Sequence, residues 1–248
     1  MMTGTYLIGD QMIGISSLYS TVHDYCRDYR AVGAPVFFVE TTPEDLVFER
    51  ERSEQIGEVL PVQSEEIRNK ELELLAVYRR IAEQMPFRDT FLFHGSAVAV
   101  DGAAYLFTAR SGTGKSTHTR LWREMLGDRA VMVNDDKPLI RLTEDGAVVY
   151  GTPWNGKHRL GTNISVPLKA VCILERAKQN TIRAITREEA FPMLIQQSYR
   201  PLDPAALAKT LSLVDRLSRT VSLYRLGCNM DPEAAELSYN IMKEATRQ

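Results

Sequence analysis

The chain has 248 residues and a formal net charge of −2, with 30 Lys and Arg against 32 Asp and Glu. Its composition is that of an ordinary globular protein long enough for one large domain or two small ones, and it lacks the basic footprint of a nucleic-acid binder. The three cysteines, Cys26, Cys172 and Cys228, are far apart and odd in number, which excludes a disulfide framework and a CxxC metal pair. No stretch approaches 18 consecutive apolar residues, and the first 15 residues lack a basic start followed by a long apolar run. The expected setting is therefore cytoplasmic, with no membrane partner.

In chain order, β-prone runs at residues 5–8, 11–16 and 35–40 predict short strands around a weakly amphipathic segment at 19–29. Residues 65–85 predict a helix. Ile67, Leu74, Leu75, Tyr78, Ile81, Ala82 and Met85 fall on one stripe, and Pro86 stops it. These elements make a small α+β segment, residues 1–88, expected to pack on the remainder. From residue 89 the pattern becomes that of an α/β domain. Residues 96–100 and 103–108 read as a hairpin closed by Asp101-Gly102, a pair suited to a type I′ turn.

The second arm of that hairpin runs into Ala109-Arg110-Ser111-Gly112-Thr113-Gly114-Lys115-Ser116, followed by a helical run that ends at Gly127. Strand, glycine loop and helix in this order form a phosphate-binding loop. Backbone N–H groups from Ser111 to Thr117 and the helix N-terminus surround phosphate oxygens, Lys115 reaches the outer phosphates, and Ser116 can ligate Mg²⁺. The first position is usually Gly and is Ala109 here, which requires a negative φ at that residue. ATP and Mg²⁺ are the implied cofactors.

The next apolar run, residues 130–133, predicts a strand lying parallel and adjacent to the first. It ends at Asn134-Asp135-Asp136-Lys137, which places two carboxylates near Lys115 and Ser116. One suits Mg²⁺ together with Ser116, and the other suits proton abstraction from an attacking hydroxyl. By itself Asn-Asp-Asp is also good turn chemistry. Further strands are expected at 147–150, 168–174, 181–185 and 221–226. Lys157, His158 and Arg159 form a cationic loop after Trp154, itself read as core. Thr186 and Glu189 form a capping-box signature on a helix that Pro192 must kink or shorten. Arg200, at that helix's end, could stabilise transition-state charge or cap carbonyls of its own helix. Asp203-Pro204 and Asp231-Pro232 each place an N-cap acid before a first-turn proline. Neither an NKxD nor an LSGGQ-like segment is present, which argues against a switch GTPase and a transporter ATPase.

Taken together, Phe93-His94-Gly95-Ser96, the hairpin, the loop to Thr117, Asn134-Asp135-Asp136 and Gly151-Thr152-Pro153-Trp154 resemble the catalytic domain of HPr kinase/phosphorylase. That fold is related to the nucleotide-binding part of ATP-dependent phosphoenolpyruvate carboxykinase. The resemblance spans about residues 90–245. It implies a mixed sheet with flanking helices and an ATP-dependent kinase acting on a hydroxyl, by family habit a serine of a peptide or protein. By position it makes Asp135 the base, Asp136 a metal ligand (or the reverse), and His94 a residue beside the reacting phosphate. A small-molecule kinase and a non-catalytic ATP-binding regulatory module remain the alternatives, and a homo-oligomer stays open. Residues 1–88 do not resemble the N-terminal domain of the full HPr enzyme, and no phosphorylase signature is evident.

Overall fold

The computed structural model describes residues 1–55, 64–156 and 158–245. The chain divides into two compact units, Met1–Gln84 and Met85–Gln248.

In the first unit, β1 (Met2–Ile8) and β2 (Gln11–Ser17) pair antiparallel, and β3 (Phe37–Glu40) joins β2 in parallel. Helix α1 (Thr21–Tyr25) and a single 3₁₀ turn fill the segment between β2 and β3. Two longer helices follow, α2 (Pro43–Gln55) and α3 (Glu65–Gln84). Glu73 of α3 is fully buried, and its carboxylate accepts from the Leu18 and Tyr19 backbone N–H groups (2.6 and 2.9 Å) and the Thr41 hydroxyl (2.6 Å). Such charge-assisted bonds are what make a buried carboxylate tolerable. Arg79 similarly joins Asp45 and Glu49 of α2 at 2.8 and 2.5 Å. Helix α2 was not anticipated, because its buried face carries Asp45 and Glu49 as well as Leu46.

The second unit is built on a mixed sheet. Its strands are β4 (Thr90–Leu92), β5 (Ser96–Val100), β6 (Ala103–Thr108), β7 (Ala130–Asn134), β8 (Leu139–Thr143), β9 (Gly146–Tyr150), β10 (Ser165–Arg176), β11 (Thr181–Ala184) and β12 (Ser222–Cys228). The order is β4-β8-β9-β10-β6-β5-β7. β12 also pairs with β10, and β11 pairs with β12. β6, β10 and β12 run parallel. Their residues alternate between two buried clusters. Ala104, Leu106, Val171, Ile173 and Leu223 face α5 (Arg187–Gln197) and α6 (Pro204–Thr220). Tyr105, Phe107, Cys172, Leu174 and Leu226 face α4 (Lys115–Leu126) and α7 (Pro232–Met242). Helices on both faces explain why these strands read as near-continuous apolar runs.

Three expectations need correction, and one strand was not anticipated. β7 is parallel in direction to β6 but not adjacent to it, because β5 lies between and pairs antiparallel with both. The two-residue turn at Asp101-Gly102, with φ of 51° and 78°, closes the β5–β6 pair first and takes the edge that β7 was expected to fill. Pro192 does not shorten α5, which runs its full 11 residues to Gln197 behind the expected capping box. Asp203 caps α6 by accepting from the Ala206 N–H at 2.7 Å, but Asp231 makes no such bond to α7. Its carboxylate instead accepts from the Asn229 side-chain amide at 2.7 Å. β8 was also missed. No described helix is long and apolar enough to cross a membrane.

Candidate active site at the phosphate loop

The loop leaves β6 at Thr108 and enters α4 at Lys115, as the glycine pattern requires. Gly112 and Gly114 hold φ of 75° and 120°, and a Cβ built on either meets no atom within 4 Å. The loop therefore surrounds open space, which suits a phosphate cradle made of backbone N–H groups. Ala109 is fully buried and is not among the positive-φ residues, so its methyl group costs the loop nothing. Its carbonyl accepts a hydrogen bond from Lys115 Nζ at 3.1 Å. Burial pulls the Lys115 pKa below its usual value, and Asp136 pulls it back up. Ser116 is exposed, and Thr117 is half-buried behind it. The Ser96 and Thr119 hydroxyls (3.0 Å apart) tie α4 to β5.

The acidic pair is shaped by the fully buried Asn134. Its side-chain oxygen accepts from the Asp136 and Lys137 N–H groups (2.9 and 2.7 Å), and its amide donates to Thr152 Oγ1 at 3.0 Å. The turn that presents both carboxylates is thereby locked to the segment ahead of Trp154, which is itself buried as expected. Asp135 is 7% exposed, and its Oδ1 accepts from the Gly156 N–H at 2.6 Å. Asp136 points elsewhere. Its Oδ1 lies 3.4 Å from His94 Nε2, and its Oδ2 lies 3.7 Å from Lys137 Nζ.

His94 is held by a backbone bond from its N–H to the Gln197 carbonyl (2.7 Å). Burial lowers its pKa and the Lys115 charge lowers it further, while Asp136 and the Gln197 side chain oppose both. The ring is therefore biased toward its neutral form. Arg200 is exposed and follows Ser198, which bridges to Phe93. The structure thus brings together His94, Lys115, Asp135, Asp136 and the loop residues Ser111 to Thr117, and leaves Arg200 three residues beyond Gln197. His158 lines the cleft described next, Arg159 follows it with a φ of 49°, and Lys157 lies outside the described residues.

A cleft of about 1060 Å³ opens beside the loop. Ser116, Thr117, Asp135, His158, Arg120 and Arg123 line it. A second hollow of about 500 Å³ lies against Gly112, Thr113 and Gly114. Among the described residues no group of three or more His, Cys, Asp or Glu gathers as a metal cage. Mg²⁺ held through phosphates does not need one, since it takes one or two carboxylates and completes its shell with phosphate oxygens and water. The exposed Ser116 hydroxyl, the open loop and the adjacent carboxylate pair fit Mg²⁺ and a triphosphate.

Sequence reasoning passed over Gln197 and Arg176. Arg176 stands at the C-terminal end of β10, three residues past the pairing of Ile173 with Thr108, and its guanidinium donates to the Gly112 carbonyl. A charged residue at the carboxyl end of a buried parallel strand is the signal that would have marked it.

The chain belongs to the SynChlorMet cassette protein ScmC family, whose profile matches residues 56–231. No curated protein matches it. Among solved structures, the HPr(Ser) kinase/phosphatase from Coxiella burnetii is similar at 10% sequence identity. That likeness covers 62% of this chain and 99% of that one, with a TM-score of 0.36. At that level it assigns no activity.

Proposed function

We propose that this protein is an ATP- and Mg²⁺-dependent kinase that transfers the γ-phosphoryl group to a hydroxyl, a serine of a peptide or protein. The observation that carries the reading is the division between the two carboxylates. Asp135 lines the wide cleft together with Ser116, while Asp136 turns toward His94 and influences Lys115. A base must face the acceptor, and the cleft that Asp135 lines is the side proposed for it. A metal ligand belongs beside the phosphates, where Asp136 shares its surroundings with Lys115. Mg²⁺, held by Ser116 and Asp136, would offset the negative charge of the phosphates.

In this reading Asp135, oriented by the Gly156 N–H, takes the proton of the attacking hydroxyl. The oxygen forms its bond to the γ-phosphorus as the bond to the bridging oxygen breaks, and ADP leaves with that electron pair. Lys115 and the loop N–H groups stabilise the charge that develops. Neutral His94 positions Asp136, and Arg200 is assigned the stabilisation of transition-state charge.

The test combines calorimetry of Mg·ATP binding with mass analysis of candidate peptides and polyols for a gain of one phosphate. Asp135→Asn should keep nucleotide binding and lose about 10²-fold or more in transfer, and Lys115→Ala should lose as much. Near-normal turnover in either variant would overturn the assignment. Wild-type binding of Mg·ATP with no transfer to any acceptor would make the protein a regulatory module instead.

A further inference from the structure

β7 is an edge strand of the mixed sheet, and the cleft that holds Asp135 runs along it. Among the described strands β7 pairs with β5 alone. The hairpin decides which of its backbone groups stay free. Val100 and Ala103 flank the two-residue turn, so Val100 and Val98 exchange hydrogen bonds with β6, and Ala99 turns its N–H and carbonyl toward Val131. Met132, one residue on, therefore points its N–H and carbonyl away from β5, as does the Ala130 carbonyl. Among the described residues this outer edge is capped only at its ends. The Ala130 N–H donates to the Gly127 carbonyl, and the Val133 carbonyl accepts from the Thr162 N–H at 3.2 Å. Between those caps Ala130, Val131 and Met132 line the cleft, and Val131 is 40% exposed. An open strand edge is a template for one more strand.

The helix wall of the same cleft adds a charge. Arg123 is half-buried on α4, and among the described residues its guanidinium has neither an ion-pair nor a hydrogen-bond partner. The charges around it are engaged. Arg120 pairs with Glu124 at 2.7 Å, and Asp135 accepts from the Gly156 N–H. Asp128, exposed in the turn ahead of β7, pairs with neither arginine. A planar fork of five donors matches a carboxylate better than any other side chain. Arg123 stands seven residues beyond Ser116 on α4, which is about 10 Å along the axis, and an extended chain covers that distance in about three residues.

We propose that the acceptor is an extended peptide segment that adds as a strand to the open edge of β7, with its hydroxyl at Asp135 and an acidic side chain about three residues away at Arg123. The proposal rests on the kinase reading above and names the substrate class of that site. Main-chain bonds to Ala130 and Met132 supply affinity that any sequence can use, and Arg123 supplies selectivity. An acid carried further along the peptide meets Asp128 instead and is repelled, which confines the preference to one position.

The experiment measures kcat/KM with Mg·ATP for serine peptides that carry Glu or Lys about three residues before or after the serine. It is run on the full chain as wild type and as Arg123→Glu. Wild type should prefer Glu over Lys roughly tenfold at one of the two positions, and Arg123→Glu should reverse that order. If calorimetry of Mg·ATP binding shows that the reversal variant has not folded, Arg123→Gln replaces it and should bring the two peptides within about twofold of each other. Peptides N-methylated at alternate backbone nitrogens test the added strand. Methylation of one alternate set should cut kcat/KM roughly tenfold, and methylation of the other should change it less than about twofold. Absence of a preference in wild type, a preference that substitution of Arg123 leaves standing, or equal losses from both methylated sets would refute the proposal. Transfer to polyols but to no peptide would refute it as well, whereas transfer to neither marks a failure of the kinase reading itself.

Discussion

His118 makes acid sensitivity a local property. Four residues beyond Gly114, its ring packs edge-on to Phe107 at 4.7 Å and is shut off from solvent. Burial lowers its pKa from 6.5 to about 4. Below pH 6.5 the unfolded chain binds a proton that the folded chain refuses. The stability contributed by the neutral ring is therefore complete above pH 6.5 and is lost as the pH falls toward 4. At pH 5 the loss is on the order of 2 kcal/mol. Urea midpoints for wild type and His118→Phe, compared at pH 7 and pH 5, check this. The wild type should lose more than the variant over that interval, and parallel losses would refute it. Nothing in the sequence marked His118, which reads as one more polar position on a helix. Asp135, Asp136, Lys115 and His94 were legible because each sits in a short motif whose chemistry depends on local order. The Gln197 contact to His94 was not, since about a hundred residues separate them.

At the scale of elements, legibility followed apolar patterning. Helix α3 was legible from its apolar periodicity, but its buried face is turned from the expected stripe to Leu72, Glu73, Ala76, Val77 and Arg79 ahead of Ile81 and Ala82. Ile67 is exposed and Leu74, Leu75 and Tyr78 are half-buried, because Glu73 and Arg79 find partners inside the unit. The β5–β6 hairpin carries its turn chemistry in two adjacent residues. Helix α2 hid because charged Asp45 and Glu49 lie on its buried face, satisfied by Arg79. The placement of β5 between β6 and β7 was invisible because strand order is set by long-range pairing. The phosphate loop itself gives a graded prediction. Gly112, at φ 75°, is near the left-handed region that other residues enter at about 1–2 kcal/mol, whereas Gly114, at φ 120°, lies outside it. Gly112→Ala should cost about 1 kcal/mol of stability, and Gly114→Ala about 1–3 kcal/mol. Both should also weaken ATP binding, because the added methyl group enters the open space of the cradle. Thermal unfolding and calorimetry check the order, and a Gly114→Ala variant as stable as Gly112→Ala would contradict it.

At the scale of the whole molecule, each unit closes its own polar and apolar accounts. Glu73 and Arg79 find their partners within Met1–Gln84, and the two apolar clusters around the mixed sheet draw only on residues from Phe91 onward. The boundary is followed at once by buried Met85 and Pro86, in a 3₁₀ turn that packs on α6 and β4. The residues proposed for phosphate, metal and proton abstraction all lie beyond that turn. A fragment of residues 85–248 should therefore unfold cooperatively and bind Mg·ATP within about threefold of the full chain, a difference under 1 kcal/mol. Transfer to a peptide is the separate readout. If residues 1–84 serve acceptor recognition, the fragment will keep ATP affinity while KM for the peptide rises and kcat with a short polyol acceptor holds. A fragment that folds but loses ATP affinity would instead place part of the nucleotide site in the first 84 residues and overturn the division of labour argued here.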